Sequence, residues 1–116
     1  MIKETLLSAL EPLQYPCYQQ GTIAPETDYP ESFITFEITD SEDQAHFDNM
    51  PNLTAWNIAV IFYSIDPALV MSEGRRIYDT LKAAGFIPQG KGADILSDEP
   101  THTGWVNEYK FIESEE

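Results

Sequence analysis

The residues of this chain that could do chemistry are few, and the densest group lies in the stretch "ADILSDEPTHTG". Asp94, Asp98 and Glu99 offer carboxylate oxygens to a hard cation, and His102 offers an imidazole nitrogen. Their spacing matches no established ligand pattern, and the prolines, glycines and threonines of such a stretch are typical of turns. Asp98 and Glu99 are also a poor acid pair, because adjacent side chains point apart on a strand. The sequence therefore predicts a loop here and no metal site.

The only adjacent basic pair, Arg75 and Arg76, lies in an amphipathic stretch and is the one candidate for phosphate binding. A helical wheel places Arg75 opposite the apolar stripe and four residues before Asp79, and places Arg76 three residues after Glu73. The nearby "GKG" lacks the preceding strand and the following helix of a phosphate-binding loop. We therefore predict a solvated helix face with local ion pairs, which leaves open a contact to an acidic neighbouring subunit.

The other reactive side chains have no partners in the sequence. Cys17, the only cysteine, lies close to two tyrosines and is typical of a small core residue. His46 has no cysteine, serine or second histidine near it in the sequence. The pattern thus supplies no set of nucleophile, base and orienting group. We predict that the protein is not an enzyme and needs no cofactor.

The charge of the chain argues against binding of free nucleic acid. Its 116 residues include 20 Asp and Glu against 6 Lys and Arg, which gives a formal net charge of −14. Because no Lys or Arg lies between Lys3 and Arg75, most of the surface should repel a polyanion. A hydrophobic fraction of 42% still predicts a folded core, and the length fits a single domain over residues 1–116. No apolar run approaches the roughly 20 residues that span a bilayer.

The elements that must position these residues follow from periodicity and turn signals. Asp66 and Pro67 are a good N-cap and first residue for a helix, and Gly85 suits its left-handed end. The predicted order is a helix at 2–11, a short strand ending at Gly21, strands at 32–39 and 54–65, a helix from Asp66 to Gly85, and a last strand at 105–113. A long acidic flap at about 40–52 joins the second and third strands, and a flexible acidic tail covers 113–116.

This order predicts the fold class and the packing of its main elements. The class is α+β, with an antiparallel or mixed sheet of about four to five strands and two helices on one face. The stretch 54–65 is apolar on both faces and should be central in the sheet. Gly74 lies in the apolar stripe of the second helix, between Val70 and Ile77, so a larger side chain there should overfill the helix–sheet seam.

Several stretches resemble a family of small phage proteins. They are "FYSIDPALV", the helix that runs to "LKAAGF", and "GKGADILSDEPTHTG" with the closing aromatic strand. The likeness covers roughly residues 32–112 and is most specific in the "YS-DP" and "SDEPTHTG" stretches. The family is encoded in the head–tail joining and tail gene block of long-tailed phages and prophages of Gram-positive bacteria, and it looks like the tail terminator class.

The resemblance implies α+β subunits with a mobile acidic flap, which form a ring of typically six copies on the tail tube. Such a ring stops polymerisation of the tail tube protein and offers a surface to the head connector proteins. It would be a virion component assembled in the bacterial host cytoplasm, without direct sequence-specific nucleic acid binding or a membrane. Function would then lie in surfaces, and the candidate interface residues are Glu42, Asp43, His46, Asp48, Arg75 and Arg76.

Three alternatives remain open from the sequence. A neck or head-completion protein of similar size would share the gene neighbourhood. An acidic inhibitor that mimics DNA would need acids spaced like phosphates along one face, whereas the acids here are scattered. A small metal-dependent enzyme would use the acids and the histidine of "ADILSDEPTHTG". The flap itself is compatible with an orientation towards the bore of a ring or towards a basic partner.

Overall fold

The computed structural model describes residues 2–19, 30–43, 53–96 and 101–114. Within these ranges the chain forms two α-helices, one 3₁₀ turn and six strands. In chain order they are α1 (Ile2–Leu10), the 3₁₀ turn (Glu11–Leu13), β1 (Cys17–Gln19), β2 (Ser32–Asp43), β3 (Leu53–Ser64), α2 (Pro67–Ala83), β4 (Ile87–Pro88), β5 (Ala93–Leu96) and β6 (Thr103–Ser114).

The six strands form one mixed sheet in the order β1-β2-β3-β6-β4, and β5 also pairs with β6. β1 runs parallel to β2, and the other pairs are antiparallel. Both helices share one core with the same face of the sheet, so the predicted α+β class is confirmed. The described chain after α2 forms three strands where one or two were predicted. β4 and β5 span only two and four residues, too few to show a clear alternation.

The main core lies between the helices and the sheet. Its sheet side consists of alternate residues of the three long strands, such as Phe36, Val60 and Tyr109, and its helix side consists of the apolar stripes of α1 and α2. Leu10 and Leu81 are fully buried, and burial of a side chain of this size contributes about 1.5–3 kcal/mol. The two helical periodicities in the sequence therefore correspond to faces that the fold removes from water.

Helix α2 begins and ends where its capping residues predict. The Asp66 carboxylate accepts a hydrogen bond from the amide of Ala68 at 3.0 Å, and Pro67 is the first helical residue. Just beyond the other end, Gly85 has a φ of +97°, the left-handed conformation that favours glycine. These local signals fix the position of the helix along the chain, and its buried stripe then fixes its rotation.

Helix α2 approaches the sheet closely at Gly74. A Cβ atom built on Gly74 would lie 2.5 Å from Cδ1 of Trp105, which is closer than real Cβ contacts allow. Gly92 lies against the same indole and has a φ of +103°. The Trp105 ring is therefore held between α2 and the loop before β5, and both neighbours must be glycine for the ring to fit.

The predicted ends of the second and the last strand are wrong, because pairing with β3 keeps β2 and β6 in the strand conformation for several more residues. β2 continues through Asp43, so the acidic flap does not begin at residue 40, and β6 continues through Ser114 into the predicted tail. Acidic residues have little intrinsic strand preference. They are strand here because β3 pairs with β6 over its whole length and with β2 from Thr54 onward, with Glu42 opposite Ala55. The rest of the flap, 44–52, and residues 115–116 lie outside the described residues.

We predict that Gly74→Leu destabilises the fold by roughly 1–3 kcal/mol, because the new side chain collides with the Trp105 indole. Urea unfolding followed by circular dichroism measures the loss. The matched control is Ala83→Leu, which introduces a leucine side chain at an exposed position of the same helix. It should change the unfolding free energy by less than about 0.5 kcal/mol. Equal losses for the two variants would contradict the close approach at Gly74.

Tyr109 is an internal exception to the apolar core. Its side chain is fully buried, and its hydroxyl makes no hydrogen bond of good geometry with the described residues, although the nearby Asn107 side chain acts to lower its pKa. Burial raises the pKa of Tyr109 to about 12. Burial and the neighbouring Glu73 carboxylate, to which the hydroxyl donates, likewise raise the pKa of Tyr15 to about 12. Both phenols are therefore held neutral, although only Tyr15 gains a hydrogen bond in return.

We predict that Tyr109→Phe leaves stability at neutral pH unchanged or raises it by up to about 1 kcal/mol, because it removes an unsatisfied buried hydroxyl. Tyr15→Phe should instead cost about 1 kcal/mol or more. A raised folded-state pKa gives stability that is complete below the unfolded value of 10.0 and is lost as pH rises towards 12. Each variant should therefore lose less stability than wild type between these pH values in parallel urea titrations. A Tyr109→Phe protein with the alkaline loss of wild type would contradict this prediction.

Candidate functional site

The three long strands extend beyond their shorter neighbours and form an arm. β1 accompanies β2 only as far as Phe36, and β4 reaches β6 only at Tyr109 and Lys110. Past these points no other described strand pairs with the outer edge of β2 or of β6. We define the arm by three segments, 37–43, 53–59 and 111–114. It presents two different strand edges on opposite sides, and such edges can pair with further chains.

The arm is acidic on the face that points away from the helices. Glu37, Asp40 and Glu42 lie opposite Ala59, Asn57 and Ala55 of β3, so they share one face. All three carboxylates are exposed and have no ion pair with described residues. Of the predicted interface residues, Glu42 belongs to this row and Asp43 ends β2, whereas His46 and Asp48 lie outside the described residues.

The predicted arginine pair lies on the solvated face of α2, as the helical wheel indicated. The Arg75 guanidinium lies 3.4 Å from the Asp79 carboxylate and 5.0 Å from the centre of the Tyr78 ring. Arg76 lies 3.0 Å from Glu73. Both arginine side chains are more than half exposed, so these contacts are surface ion pairs. The prediction of a solvated helix face with local ion pairs is confirmed.

The candidate metal ligands are not brought together in the described part of the chain. No three His, Cys, Asp or Glu side chains there form a group that would hold a metal. The His102 ring is engaged through both nitrogens. Nε2 donates to the Pro30 carbonyl at 2.8 Å, so in the neutral ring Nδ1 accepts from the Thr101 hydroxyl at 3.0 Å. Asp98 and Glu99 lie outside the described residues.

Cys17 belongs to the core, as predicted. It is half-buried, packs against the main apolar cluster, and donates a weak hydrogen bond from Sγ to the Tyr15 carbonyl at 3.4 Å. Burial raises the pKa of the Cys17 thiol. The thiol form is therefore favoured, and the residue lacks the electropositive surroundings that activate a nucleophilic cysteine.

A cleft of about 390 Å³ lies where the first turns of α2 meet strands β5 and β6. Its described lining residues are Pro67, Val70, Met71, Asp94, Ile95, Thr103 and Gly104. Asp94 is the one ionisable residue among them and has no ion pair with described residues. A mainly apolar lining with one carboxylate suits an apolar side chain next to a cation.

A second, shallower groove of about 380 Å³ crosses the sheet face away from the helices. Ala59 forms its floor between Glu37 and Glu108, which pair with it from the two neighbouring strands. The two carboxylates are therefore about 10 Å apart across the sheet, and both are exposed. Lys91 belongs to the loop that walls the groove. The groove is open and solvated, and it does not exclude water as an enclosed reaction site does.

A third surface, on the same sheet face, combines one cation with two aliphatic side chains. Ile87 pairs directly with Lys110 across β4 and β6, and Ile112 follows Lys110 by two residues on β6. Both isoleucines are exposed, and Lys110 has no ion pair with described residues. The sequence did not single out this patch or the cleft. One available signal was that Met71 lies off the buried stripe of α2.

The comparisons with known proteins add no family. No protein-family model matches this chain, and no curated protein matches it. Among the described residues, no helix combines the length and the hydropathy that crossing a membrane requires. Functional inference therefore depends on the surfaces described above.

We predict that Arg75→Ala changes the unfolding free energy of the domain by less than about 0.5 kcal/mol, because its ion pair is exposed and screened by solvent. Arg76→Ala is the matched comparison. It removes the partner of Glu73, which also accepts from the Tyr15 hydroxyl, and should cost more. Thermal and urea unfolding measure both. An Arg75→Ala chain that fails to fold would contradict the placement of this helix face.

Proposed function

We propose that this chain is a structural protein of the head–tail joining or tail region of a long-tailed phage. In this proposal it acts as a tail terminator, which assembles into a ring that caps the tail tube. Its partners are further copies of itself, the tail tube protein and the head connector proteins. It is a virion component assembled in the bacterial host cytoplasm, and it works through binding surfaces without catalysis.

The arm is the observation that carries this proposal. Two strand edges remain open beyond β1 and β4 in the described part of the chain. Free edges bind further chains by adding a strand, with affinity from main-chain hydrogen bonds and specificity from alternate side chains. A terminator must bind the last ring of tube subunits and must also stop addition of the next. An arm that completes its edges against the tube would do both.

The residues behind the phage resemblance also support a role in binding. "FYSIDPALV" supplies the end of β3 and the first turn of α2, including Pro67 and Val70 of the cleft. "SDEPTHTG" supplies Thr103 and Gly104 of the same cleft. The two most specific stretches are distant in sequence and meet at one surface feature. This convergence fits a family whose members share a contact surface.

The charge of the protein is compatible with a ring through which DNA passes. A net charge of −14 opposes adsorption of a polyanion, so DNA could move through the bore without being held. The row formed by Glu37, Asp40 and Glu42 concentrates this charge on one face of the arm. The same row favours a DNA-mimic inhibitor as the second candidate, although three carboxylates on one strand mimic only a short stretch of phosphates.

The proposed function is tested by mixing the purified protein with polymerising tail tube protein from the same phage or prophage. Electron microscopy then measures the distribution of tube lengths. We expect the protein to bind tube ends and to shorten the mean length as its concentration rises. A neck or head-completion protein, or a DNA mimic, would leave tube lengths unchanged, and that result would exclude the terminator role. An equal concentration of unrelated acidic protein is the control for charge alone.

A further inference from the structure

The exposed large apolar side chains of this protein are concentrated in two places. Seven such residues occur in the described part of the chain. Two of them, Met71 and Ile95, belong to the lining of the cleft, whereas Ile65 precedes α2 and Leu69 lies in its first turn, outside that lining. Two more, Ile87 and Ile112, form the patch around Lys110, and Leu7 lies on α1. Contiguous exposed apolar surface marks interaction sites in soluble proteins, so the protein has two candidate contact surfaces that differ from each other.

The cleft is apolar and negatively charged. Met71 on α2 is 64% exposed, and Asp94 on β5 supplies a carboxylate to the lining. Outside the lining, Asp66 supplies a second carboxylate at the helix start. Ile95 pairs with Gly104, and its side chain lies beside the Tyr63 ring on the sheet face away from the helices. Neither carboxylate has an ion pair with described residues. The volume of about 390 Å³ is within the range of small-ligand sites, about 300–1,000 Å³, and accommodates aliphatic side chains.

The patch formed by Ile87, Lys110 and Ile112 carries a cation, and Glu108 and Asp40 lie near it on the same sheet face. Directly paired residues on neighbouring strands have Cβ atoms about 5 Å apart, so Ile87 lies beside Lys110. Ile112 lies about 7 Å further along the same face. A positive charge is thus flanked by two aliphatic side chains. Arg75 and Arg76 are paired locally, whereas Lys110 has no ion pair with described residues.

We propose that the cleft of one copy of this protein receives the patch of a second copy, with Lys110 paired to Asp94 and the two isoleucines in contact with Met71 and Pro67. Charge and apolar character are complementary between the two surfaces. The proposal rests on the proposed function, because it names the contact between subunits of the ring. Since the two surfaces are different, the contact is heterologous, and head-to-tail contacts of this kind close as rings when the rotation between subunits allows.

Within one chain, the patch lies too far from the cleft to bind in it. Gly104 of the cleft and Lys110 of the patch are six residues apart on β6, which is about 20 Å along a strand. Both are fixed by pairing with β3 over its whole length. A second copy is therefore the source of the patch. The β2 edge of the arm, 37–43, stays free in this arrangement for the tube protein.

The test measures self-association by analytical ultracentrifugation over a concentration series at about 0.15 M salt. Met71→Glu places a carboxylate in the cleft and Ile112→Glu places one in the patch. Both residues are exposed, so the fold is retained, which circular dichroism checks. Each variant should associate about tenfold or more weakly than wild type. Leu7→Glu is the matched control, since it changes an exposed apolar residue outside both surfaces, and it should associate like wild type.

A mixing experiment tests the heterologous character of the contact. The Met71→Glu chain keeps its patch and the Ile112→Glu chain keeps its cleft, so an equimolar mixture should form a heterodimer and no larger species. A charge exchange tests the ion pair. Asp94→Lys and Lys110→Glu should each weaken association, and the chain that carries both substitutions should recover it. A double variant as weak as the singles would overturn the pairing of Asp94 with Lys110.

Failure of this contact and failure of the proposed function give different results. A wild-type chain that stays monomeric at every concentration, or one whose association is unaffected by Met71→Glu and Ile112→Glu, overturns the cleft–patch contact. If that chain still shortens tail tubes, the terminator role stands. A chain that forms rings through the cleft and the patch but leaves tube lengths unchanged keeps the contact and excludes the terminator role.

Discussion

Strand β3 is paired on both edges, with β6 along its whole length and with β2 from Thr54 to Ser64. Its twelve residues therefore connect every other part of the structure. At one end it carries the body of the domain, where Val60 and Phe62 contribute to the core under the helices. At the other end it keeps two polar neighbours extended as the arm. A central strand whose main-chain groups are hydrogen-bonded on both edges can pair with strands that contain acidic residues. The ladder of main-chain hydrogen bonds does not depend on side-chain type.

The sheet has a second buried face, although both helices lie on the other side. Phe33, Ile61 and Tyr63 are buried there, with Tyr18 and Val106 packed against them. The buried imidazole of His102 makes an edge contact with Phe33 at 5.6 Å. This explains why the middle of β3 is apolar on both faces. It also explains why His102 is a structural residue, since its ring covers an aromatic side chain while both nitrogens are hydrogen-bonded.

The parts of the fold that sequence reasoning predicted are those with strong local signals. Helix α2 has capping residues at both ends, and β3 has an apolar run that no surface element would show. β4 and β5 were missed because each is defined by its pairing with β6 and not by its own residues. The length of β2 was underestimated for the same reason. The acidic residues at the end of β2 are typical of a loop, and only their register with β3 shows that they belong to the strand.

The candidate surfaces also divide into those that a local sequence signal predicts and those that only strand pairing reveals. The arginine pair was placed correctly, because exposure on one helix follows from the wheel alone. The cleft joins residues of α2, β5 and β6, and the patch joins two strands whose paired residues, Ile87 and Lys110, are far apart in sequence. No periodicity within one segment contains that information. Only the register of the sheet shows that a lysine lies between two exposed isoleucines.

A strongly acidic surface changes what a single cation can do. With 20 acidic and 6 basic residues, most random encounters between two copies bring like charges together and are repelled. Such repulsion disfavours wrong orientations, which is a common source of specificity between proteins. In the proposed contact, Lys110, which has no ion pair with described residues, marks one orientation in which attraction and burial coincide. Charge complementarity of this kind fixes orientation and encounter more than it adds affinity. If the chain assembles as proposed, the same carboxylates that oppose adsorption of DNA also restrict how subunits meet.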